Sequence, residues 1–138
     1  SSNFQLPMEK TKKIKFKTFE DERGKLTAIE LKDYVNWEAK RVYYLNDVVL
    51  PRGGHAVRGE QKIYICQKGQ VKARLHDGEK WIEFELNGPD EAIQMDGMCF
   101  RDFYDFSEDA VLMAISSVNY VPEDYIYDLE EFIKEANN

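Results

Sequence analysis

The chain of 138 residues has few of the side chains that bind metals or form redox centres, since it contains two cysteines and two histidines. Cys66 and Cys99 lie far apart in apolar runs and lack the CxxC spacing of a zinc or redox site, so we predict two buried free thiols. An enzymatic transition-metal site usually needs several histidine or mixed histidine and carboxylate ligands, which His55 and His76 alone do not supply. The sequence therefore predicts a protein without a metal.

Long apolar runs are missing as well. No stretch approaches the roughly 18 uninterrupted apolar residues of a membrane-spanning helix, and residues 1–13 lack the apolar core of a signal peptide. Basic residues are outnumbered, because 19 Lys and Arg face 26 Asp and Glu for a net charge of -7. Such an acidic chain is not attracted to nucleic acids or to anionic membranes, so we expect a cytoplasmic protein that binds neither.

The composition is that of one folded domain. Apolar residues make up 43% of the chain and charged residues 33%, which is enough apolar mass for one core and too much for intrinsic disorder. The length also fits a single domain. We predict a flexible N-terminus over residues 1–12 and one domain over residues 13–138.

Short alternating or β-branched runs, separated by turn residues, recur through most of the domain. The predicted strands cover residues 13–17, 26–31, 40–49, 63–66, 71–75, 81–86, 92–95, 98–106 and 111–116. Asp77-Gly78 is typical of a hairpin turn, and residues 51–54 are interpreted as a strand-breaking turn. Many short strands at this spacing predict an all-β fold, an antiparallel sandwich or barrel.

The end of the chain has a different pattern. From Pro122 the apolar residues recur at helical spacing, with the proline in the first turn and acidic residues early. The apolar positions are Tyr125, Leu129, Phe132, Ile133 and Ala136. We therefore predict a single C-terminal amphipathic helix that packs outside the strands.

The most unusual segment is PRGGHAVRG, residues 51–59, which places His55 among glycines. Glycine permits a backbone to approach a ligand closely, whereas an ordinary loop with an exposed histidine is the alternative interpretation. Gly54 and Gly59 have the glycine spacing of a phosphate-binding P-loop. Glu60-Gln61 stands where Lys-Ser/Thr must follow, so that motif is excluded.

Basic residues gather on or beside the predicted central strands of this acidic chain. They are Arg41, Arg52, Arg58, Lys62 and Arg74. Arginine can hold a diphosphate through bidentate hydrogen bonds, so these residues are candidates for binding one. Alternate positions on an exposed sheet face are also commonly charged, and we favour that interpretation for Arg74.

Arg101 lies inside the aromatic run MCFRDFY, where an unpaired buried charge would be costly. Asp102 is a poor partner, because adjacent side chains of a strand point to opposite faces. A partner on another strand and an oxygen atom of a ligand both remain open.

Four segments resemble the sugar 3,4-ketoisomerases, which are cupins acting on dTDP-4-keto-6-deoxyglucose. In order they are KRVYY at 40–44, PRGGHA at 51–56, CQKG at 66–69, and the stretch from Asp105-Phe106 to Tyr125-Ile126. The resemblance implies an all-β, cupin-type jelly-roll barrel with a C-terminal α-helix. It also implies a homodimer with exchanged N-terminal strands, which acts on a dTDP-linked keto-deoxy sugar without metal or other cofactor. The product would feed amino-sugar synthesis for surface glycans such as the O-antigen of lipopolysaccharide.

Several residues match the family's functional positions. The resemblance places Arg41 and Arg52 at diphosphate contacts, Tyr43 in the pocket, and His55 at the first histidine of a His-Ala-His motif. The second histidine of that motif is Val57 in this chain.

Two arginines carry the family's stereochemical variation. Arg23 resembles the pattern of enzymes that form galacto products, whereas Arg101 resembles that of enzymes that form gluco products. The resemblance therefore leaves the configuration of the product open.

The implied reaction is a keto-sugar isomerisation that passes through an enediol. Neutral histidine suits removal of a carbon-bound proton at pH 7, so we expect His55 to be the base, Tyr43 to donate to or orient a sugar oxygen, and Arg101 to stabilise the enolate. The expected substrate-binding residues are Arg41, Arg52, Lys62 and Arg23. The alternative is a non-catalytic dTDP-sugar-binding cupin that has lost turnover through Val57.

Overall fold

The computed structural model describes residues 10–138, and nearly all of its regular structure is β-strand. In chain order the strands are β1 Thr11–Lys15, β2 Lys17–Asp21, β3 Gly24–Ala28, β4 Arg41–Leu45, β5 Arg52–Val57, β6 Lys62–Lys68, β7 Gln70–His76, β8 Trp81–Asn87, β9 Glu91–Met95, β10 Phe100–Tyr104, β11 Val111–Ser116 and β12 Tyr125–Ile126. Short 3₁₀ helices cover Leu31–Asp33 and Pro122–Asp124, and helix α1 covers Leu129–Ala136. No helix in this range is long and apolar enough to cross a membrane.

The strands form two five-stranded antiparallel sheets and a separate hairpin. One sheet has the order β1-β9-β6-β11-β4, the other has the order β12-β5-β10-β7-β8, and β2 pairs with β3 alone. The inner faces of both sheets contribute to one apolar core, which includes Cys66, Leu75, Ile93, Phe103 and Leu112. The predicted all-β, cupin-type jelly roll with a C-terminal helix is confirmed.

Strict alternation of side chains produces these two-faced strands. Along β7, Val71, Ala73 and Leu75 are buried whereas the residues between them are exposed, as a period of two requires.

The predicted hairpin from β7 to β8 is present, and the Asp77 carboxylate accepts hydrogen bonds from the backbone N–H groups of Glu79 and Lys80 at 2.8 and 3.0 Å. The thiols of Cys66 and Cys99 are free and buried, as predicted.

Each sheet has its own outer cover. The segment between β3 and β4 packs Leu31, Tyr34 and Trp37 over the first sheet. Helix α1 covers the second sheet with Phe132, which is fully buried against Phe100 and Ile126. The inner faces of both sheets therefore form the core and line a pocket between the sheets.

The predicted C-terminal helix is too long at its start. Residues Tyr125–Ile126 form β12, which pairs with Val57 and Ala56 of β5, and helix α1 begins at Leu129 behind an Asp128 cap. Pairing with the open edge of β5 satisfies backbone N–H and C=O groups of both strands. The spacing of the apolar residues alone does not predict this pairing. Tyr125 is consequently a strand residue beside His55 and not part of the helix.

The boundaries near the N-terminus also differ from the prediction. The strand predicted at 13–17 is divided between β1 and β2, which meet at the buried Phe16. Strand β1 begins at Thr11, inside the predicted flexible segment 1–12, because it pairs with β9 from Met95 to Glu91. Residues 1–9 of that segment lie outside the described residues.

Residues 51–54 are not a strand-breaking turn. Strand β5 begins at Arg52 and runs through Gly53, which has a φ of +105°. A Cβ at Gly53 would lie 2.6 Å from the carbonyl oxygen of Arg101, so glycine lets β5 approach β10 at a register shift between Arg101 and Asp102. His55 is therefore a strand residue, and the loop interpretation is wrong.

Candidate functional site

A small pocket lies between the inner faces of the two sheets. Its volume is about 60 Å³, and its lining residues are Tyr43, Leu45, Arg52, Gly53, His55, Tyr64, Arg101, Phe103 and Leu112. A larger depression of about 380 Å³ lies at the β2–β3 hairpin and is lined by exposed residues of that hairpin. We assign the chemistry to the smaller pocket because it holds buried titratable side chains.

Strand alternation brings the pocket residues together. On β5, His55 points inward whereas Ala56 packs outward against helix α1. On β10, Arg101 and Phe103 point inward, and Arg101 is the direct cross-strand partner of His55. Tyr43 enters from β4 in the opposite sheet. Four predicted site residues, Arg52 included, therefore line one pocket.

The Arg101 guanidinium is completely buried and is paired with protein groups. Its Nη1 atom donates to Glu60 Oε1 at 2.6 Å and to the Tyr64 hydroxyl at 2.7 Å, and its Nη2 atom donates to the Cys99 carbonyl at 3.0 Å. Burial works against this charge, but Tyr64 and Glu60 raise the pKa of Arg101 above its usual range. The ionic partner is Glu60, from the turn before β6.

Glu60 has a second cationic neighbour. Lys62 Nζ lies 3.2 Å from Glu60 Oε2, and both side chains are 1% exposed. The Ser116 hydroxyl donates to the same carboxylate oxygen at 3.1 Å. Burial alone would raise the pKa of Glu60, but Arg101 and Lys62 outweigh it and lower that pKa. Glu60 is therefore ionised at neutral pH.

Lys62 is placed differently from a ligand-binding side chain. Its Nζ atom lies 4.6 Å from the ring centroid of Tyr43 and 5.0 Å from that of Tyr64. It does not line the pocket around His55. The expectation that Lys62 contacts substrate directly therefore has no support in its placement.

The two pocket tyrosines remain protonated at neutral pH. Burial raises the pKa of Tyr64 to about 12, although Arg101 opposes that shift. Burial also raises the pKa of Tyr43, and the nearby Tyr64 adds to this effect. Both phenols are therefore available as hydrogen-bond donors.

His55 is held as a neutral imidazole. Burial and the positive charge of Arg101 lower its pKa to about 4. Its ring lies 4.9 Å from the ring of Tyr125 and 6.2 Å from that of Tyr127, measured between centroids. The C-terminal segment thus supplies one wall beside His55.

The remaining basic candidates are divided between the mouth of the pocket and other surfaces. Arg41 lies between two rings, 4.7 Å from the centroid of Tyr43 and 5.1 Å from that of the exposed Tyr120. Arg74 pairs with Asp102 at 2.9 Å, outside the pocket. Only part of the predicted basic cluster therefore faces one site.

Arg58 serves the fold. Its side chain pairs with Glu135 of helix α1 at 2.7 Å and donates to the carbonyl of Glu123 at 3.0 Å. It consequently ties the C-terminal segment to the end of β5 and is not available as a diphosphate contact.

Arg23 lies outside the pocket around His55. Its side chain is 85% exposed at the tip of the β2–β3 hairpin and pairs with Asp21.

Within residues 10–138, no group of three or more His, Cys, Asp or Glu side chains is arranged to hold a metal ion.

Sequence reasoning missed Glu60, Tyr64, Tyr125 and Tyr127. An acidic residue close to the only histidine-containing glycine segment was the available signal for Glu60. Tyr125 was assigned to the helix face, and Tyr64 to an ordinary core strand. Their roles depend on contacts between distant parts of the chain.

Comparison with known proteins identifies close relatives. The sequence model of the FdtA family, described as WxcM-like, C-terminal, matches residues 9–137. The TDP-4-oxo-6-deoxy-α-D-glucose-3,4-oxoisomerase of Aneurinibacillus thermoaerophilus is 34% identical over 125 residues, which cover 89% of this chain and 90% of that protein.

Solved structures give the same result. The sugar 3,4-ketoisomerase QdtA of Thermoanaerobacterium thermosaccharolyticum in complex with TDP has a TM-score of 0.86 and 34% identity, with 95% of this chain and 97% of that chain covered. A histidine-to-asparagine mutant of QdtA in complex with TDP-4-keto-6-deoxyglucose also has a TM-score of 0.86, at 33% identity and with 95% and 96% covered.

The environment of His55 predicts an unusually low proton affinity. We expect the ring protons of His55 to titrate in NMR with a midpoint near 4, below the ordinary value of about 6.5, because burial and Arg101 disfavour the imidazolium. The His55→Asn variant identifies which of the two histidine signals is lost. A midpoint near the ordinary value would mean that the ring is hydrated and not influenced by Arg101.

Proposed function

This chain belongs to the FdtA family, and we infer from that membership together with its pocket that it is an isomerase, a sugar 3,4-ketoisomerase acting on dTDP-4-keto-6-deoxyglucose. The observation that carries the inference is a neutral histidine beside a buried arginine in one pocket. Such a pair can remove a proton from carbon and stabilise the negative charge that results.

The proposed reaction moves a carbonyl group from C4 to C3 of the sugar. A base removes the proton from C3, and the C–H electron pair forms the C3–C4 double bond while the C4 oxygen becomes an oxyanion. The C3 hydroxyl proton passes to the C4 oxygen. The base then returns a proton to C4, and the C3 oxygen becomes the new carbonyl, so that no atom is gained or lost.

His55 is the proposed base. Its pKa of about 4 keeps the imidazole unprotonated at neutral pH and therefore able to accept the C3 proton. Binding a nucleotide diphosphate brings negative charge near the imidazole, which favours the imidazolium and strengthens the base when substrate is present. The same imidazolium then protonates C4.

Tyr43 and Arg101 are the proposed partners of His55. Tyr43 is protonated and lines the same pocket, so it can donate a hydrogen bond to a sugar oxygen. Arg101 is held by Glu60 and Tyr64, and its Nε atom is buried without a hydrogen-bond partner within residues 10–138. A preorganised buried cation favours the enediolate over the ketone.

Arg41 and Arg52 are proposed to bind the diphosphate. The pocket volume of about 60 Å³ is too small for a whole nucleotide sugar, so we propose that the diphosphate binds nearer the mouth of the pocket. Arg52 lines the pocket at the start of β5, and the Arg41 guanidinium packs between the rings of Tyr43 and Tyr120. The flanking rings limit the motion of the Arg41 side chain.

We also propose a homodimer. The β2–β3 hairpin pairs with neither large sheet, and it exposes Phe19 at 51% and Leu26 at 62%. A lone two-stranded hairpin is marginal in water, so a second copy covering it is the proposed support. In a dimer with exchanged N-terminal strands, strands of the two copies would pair at the edge of the first sheet that β1 forms. The same exchange would place Arg23 of one copy against the other copy.

Deuterium exchange tests the proposed reaction. We expect wild-type protein in D₂O to convert dTDP-4-keto-6-deoxyglucose to a 3-keto product that carries solvent deuterium, as followed by NMR. His55→Asn should reduce turnover at least about 100-fold, the scale of a lost general base, while dTDP affinity stays within about threefold.

His76→Asn is the matched control, because His76 packs beside Trp81 and Phe132 outside the pocket. It should retain turnover at temperatures where both variants are folded. Tight binding by the wild type without any exchange would instead establish the non-catalytic sugar-binding protein and would point to Val57.

The Arg41→Ala variant tests the diphosphate site. We expect its dTDP affinity, measured by calorimetry, to fall about 10-fold or more, because a charge-assisted hydrogen bond is lost. Arg74→Ala removes an arginine that is paired with Asp102 and should leave affinity unchanged. Equal affinity of wild type and Arg41→Ala would remove Arg41 from the site.

Light scattering tests the dimer. We expect a mass of about twice the 16.2 kDa of the chain, because the exposed hairpin needs a covering surface. Replacing both Phe19 and Leu26 with lysine should give a monomer. A monomeric wild type would contradict the proposal.

A further inference from the structure

Three charged side chains are buried together at the pocket, and we refer to Glu60, Lys62 and Arg101 as the Glu60 group. The side chains of Glu60 and Lys62 are each 1% exposed and that of Arg101 is 0% exposed. Both cations share the single carboxylate, at 2.6 Å for Arg101 Nη1 and 3.2 Å for Lys62 Nζ.

The charges in the Glu60 group do not cancel. Two cations face one carboxylate, and within residues 10–138 no second carboxylate pairs with Lys62 or Arg101. Ser116 is neutral, and Tyr43 and Tyr64 remain protonated because burial raises the pKa of each. One positive charge is therefore left over at 0–1% exposure, where an uncompensated charge is expensive to keep.

The same group also holds donors without acceptors. Arg101 Nε is buried and has no hydrogen-bond partner, and Lys62 Nζ has no acceptor beyond its ion pair with Glu60, among the residues that the structure describes. Arg101 faces the pocket, whereas Lys62 stands behind the Tyr43 ring. The leftover charge is thus directed at the place where a ligand oxygen would lie.

We propose that Glu60 and Lys62 are positioning residues of the isomerase: Glu60 fixes Arg101 beside His55, and Lys62 keeps the buried group one charge positive, so that it attracts the oxyanion of the enediolate. This inference rests on the proposed function. The C3 proton moves to His55 when the enediolate forms, so the total charge of the pocket does not change. The sugar oxygen becomes negative at that point, and the buried positive charge therefore attracts it more strongly in the enediolate than in the ketone. It replaces the expectation that Lys62 contacts substrate.

Removing one charge at a time distinguishes this role from substrate binding. Lys62→Met keeps the length of the side chain and leaves Glu60 paired with Arg101 in a neutral pair. We expect kcat to fall roughly 10-fold to 100-fold, less than the loss of a direct oxyanion donor, with KM within about twofold. Glu60→Gln should also lower kcat, because Arg101 loses its anchor.

The pKa of His55 gives a second measurement that simple structural damage would not reproduce. The charged groups that face His55 are Arg101 on β10, Lys62 on β6 and Glu60 before β6, and the titratable rings of Tyr125 and Tyr127 lie on its other side. Lys62 lowers the pKa of His55 and Glu60 raises it. The midpoint should therefore rise in Lys62→Met and fall in Glu60→Gln.

A control variant distinguishes the proposed role of Lys62 from the general effect of removing a lysine. Lys72→Met removes an exposed lysine on β7 that pairs with Asp105, and it should change neither kcat nor the titration of His55. If Glu60→Gln does not fold, Lys62→Met decides alone, because its remaining ion pair is intact. An unchanged kcat in Lys62→Met, or a raised KM with unchanged kcat, would overturn the inference.

Failure of the proposed function has a different signature. A wild-type protein that does not turn over dTDP-4-keto-6-deoxyglucose would refute the function, and this inference with it. An active wild type with a fully active Lys62→Met variant would refute only the role of the Glu60 group.

Discussion

The ion pair between Arg101 and Glu60 is the interaction on which the pocket depends. A fully buried guanidinium without a carboxylate would destabilise the fold by several kcal/mol, and Glu60 provides that carboxylate at 2.6 Å. The pair joins β10 of one sheet to the turn that begins β6 of the other. It therefore links the two sheets and holds the Arg101 side chain beside His55.

Much of the fold follows from local pattern. Strands β7, β8, β9 and β11 were predicted within a residue or two, because β7 and β8 alternate, β9 and β11 are short apolar runs, and turn residues separate them. The short strand β12 was not, since the spacing of Tyr125 and Leu129 also suits a helix and only the open edge of β5 decides between them. The glycine at position 53 likewise predicted a break in the strand. In the structure, its missing side chain allows β5 to lie close beside β10.

The site was predicted in part for a similar reason. His55, Arg52 and Arg101 stand out by residue type within apolar or glycine-rich surroundings, whereas Tyr43 was implied by the family resemblance, and all four reach the pocket. Closeness to the His55 segment was the only sequence signal for Glu60, and it does not identify the partner Arg101, which lies 41 positions further along the chain. Lys62 was identified as a basic residue, but its burial behind Tyr43 depends on how the two sheets stack.

The wall beside His55 comes from the last part of the chain. Tyr125 lies in β12 and Tyr127 directly follows it, and Arg58 ties the same segment to the end of β5 through Glu135. Loss of this segment would remove two of the rings that shield His55 from water, so the pKa of its imidazole would lie closer to the ordinary value.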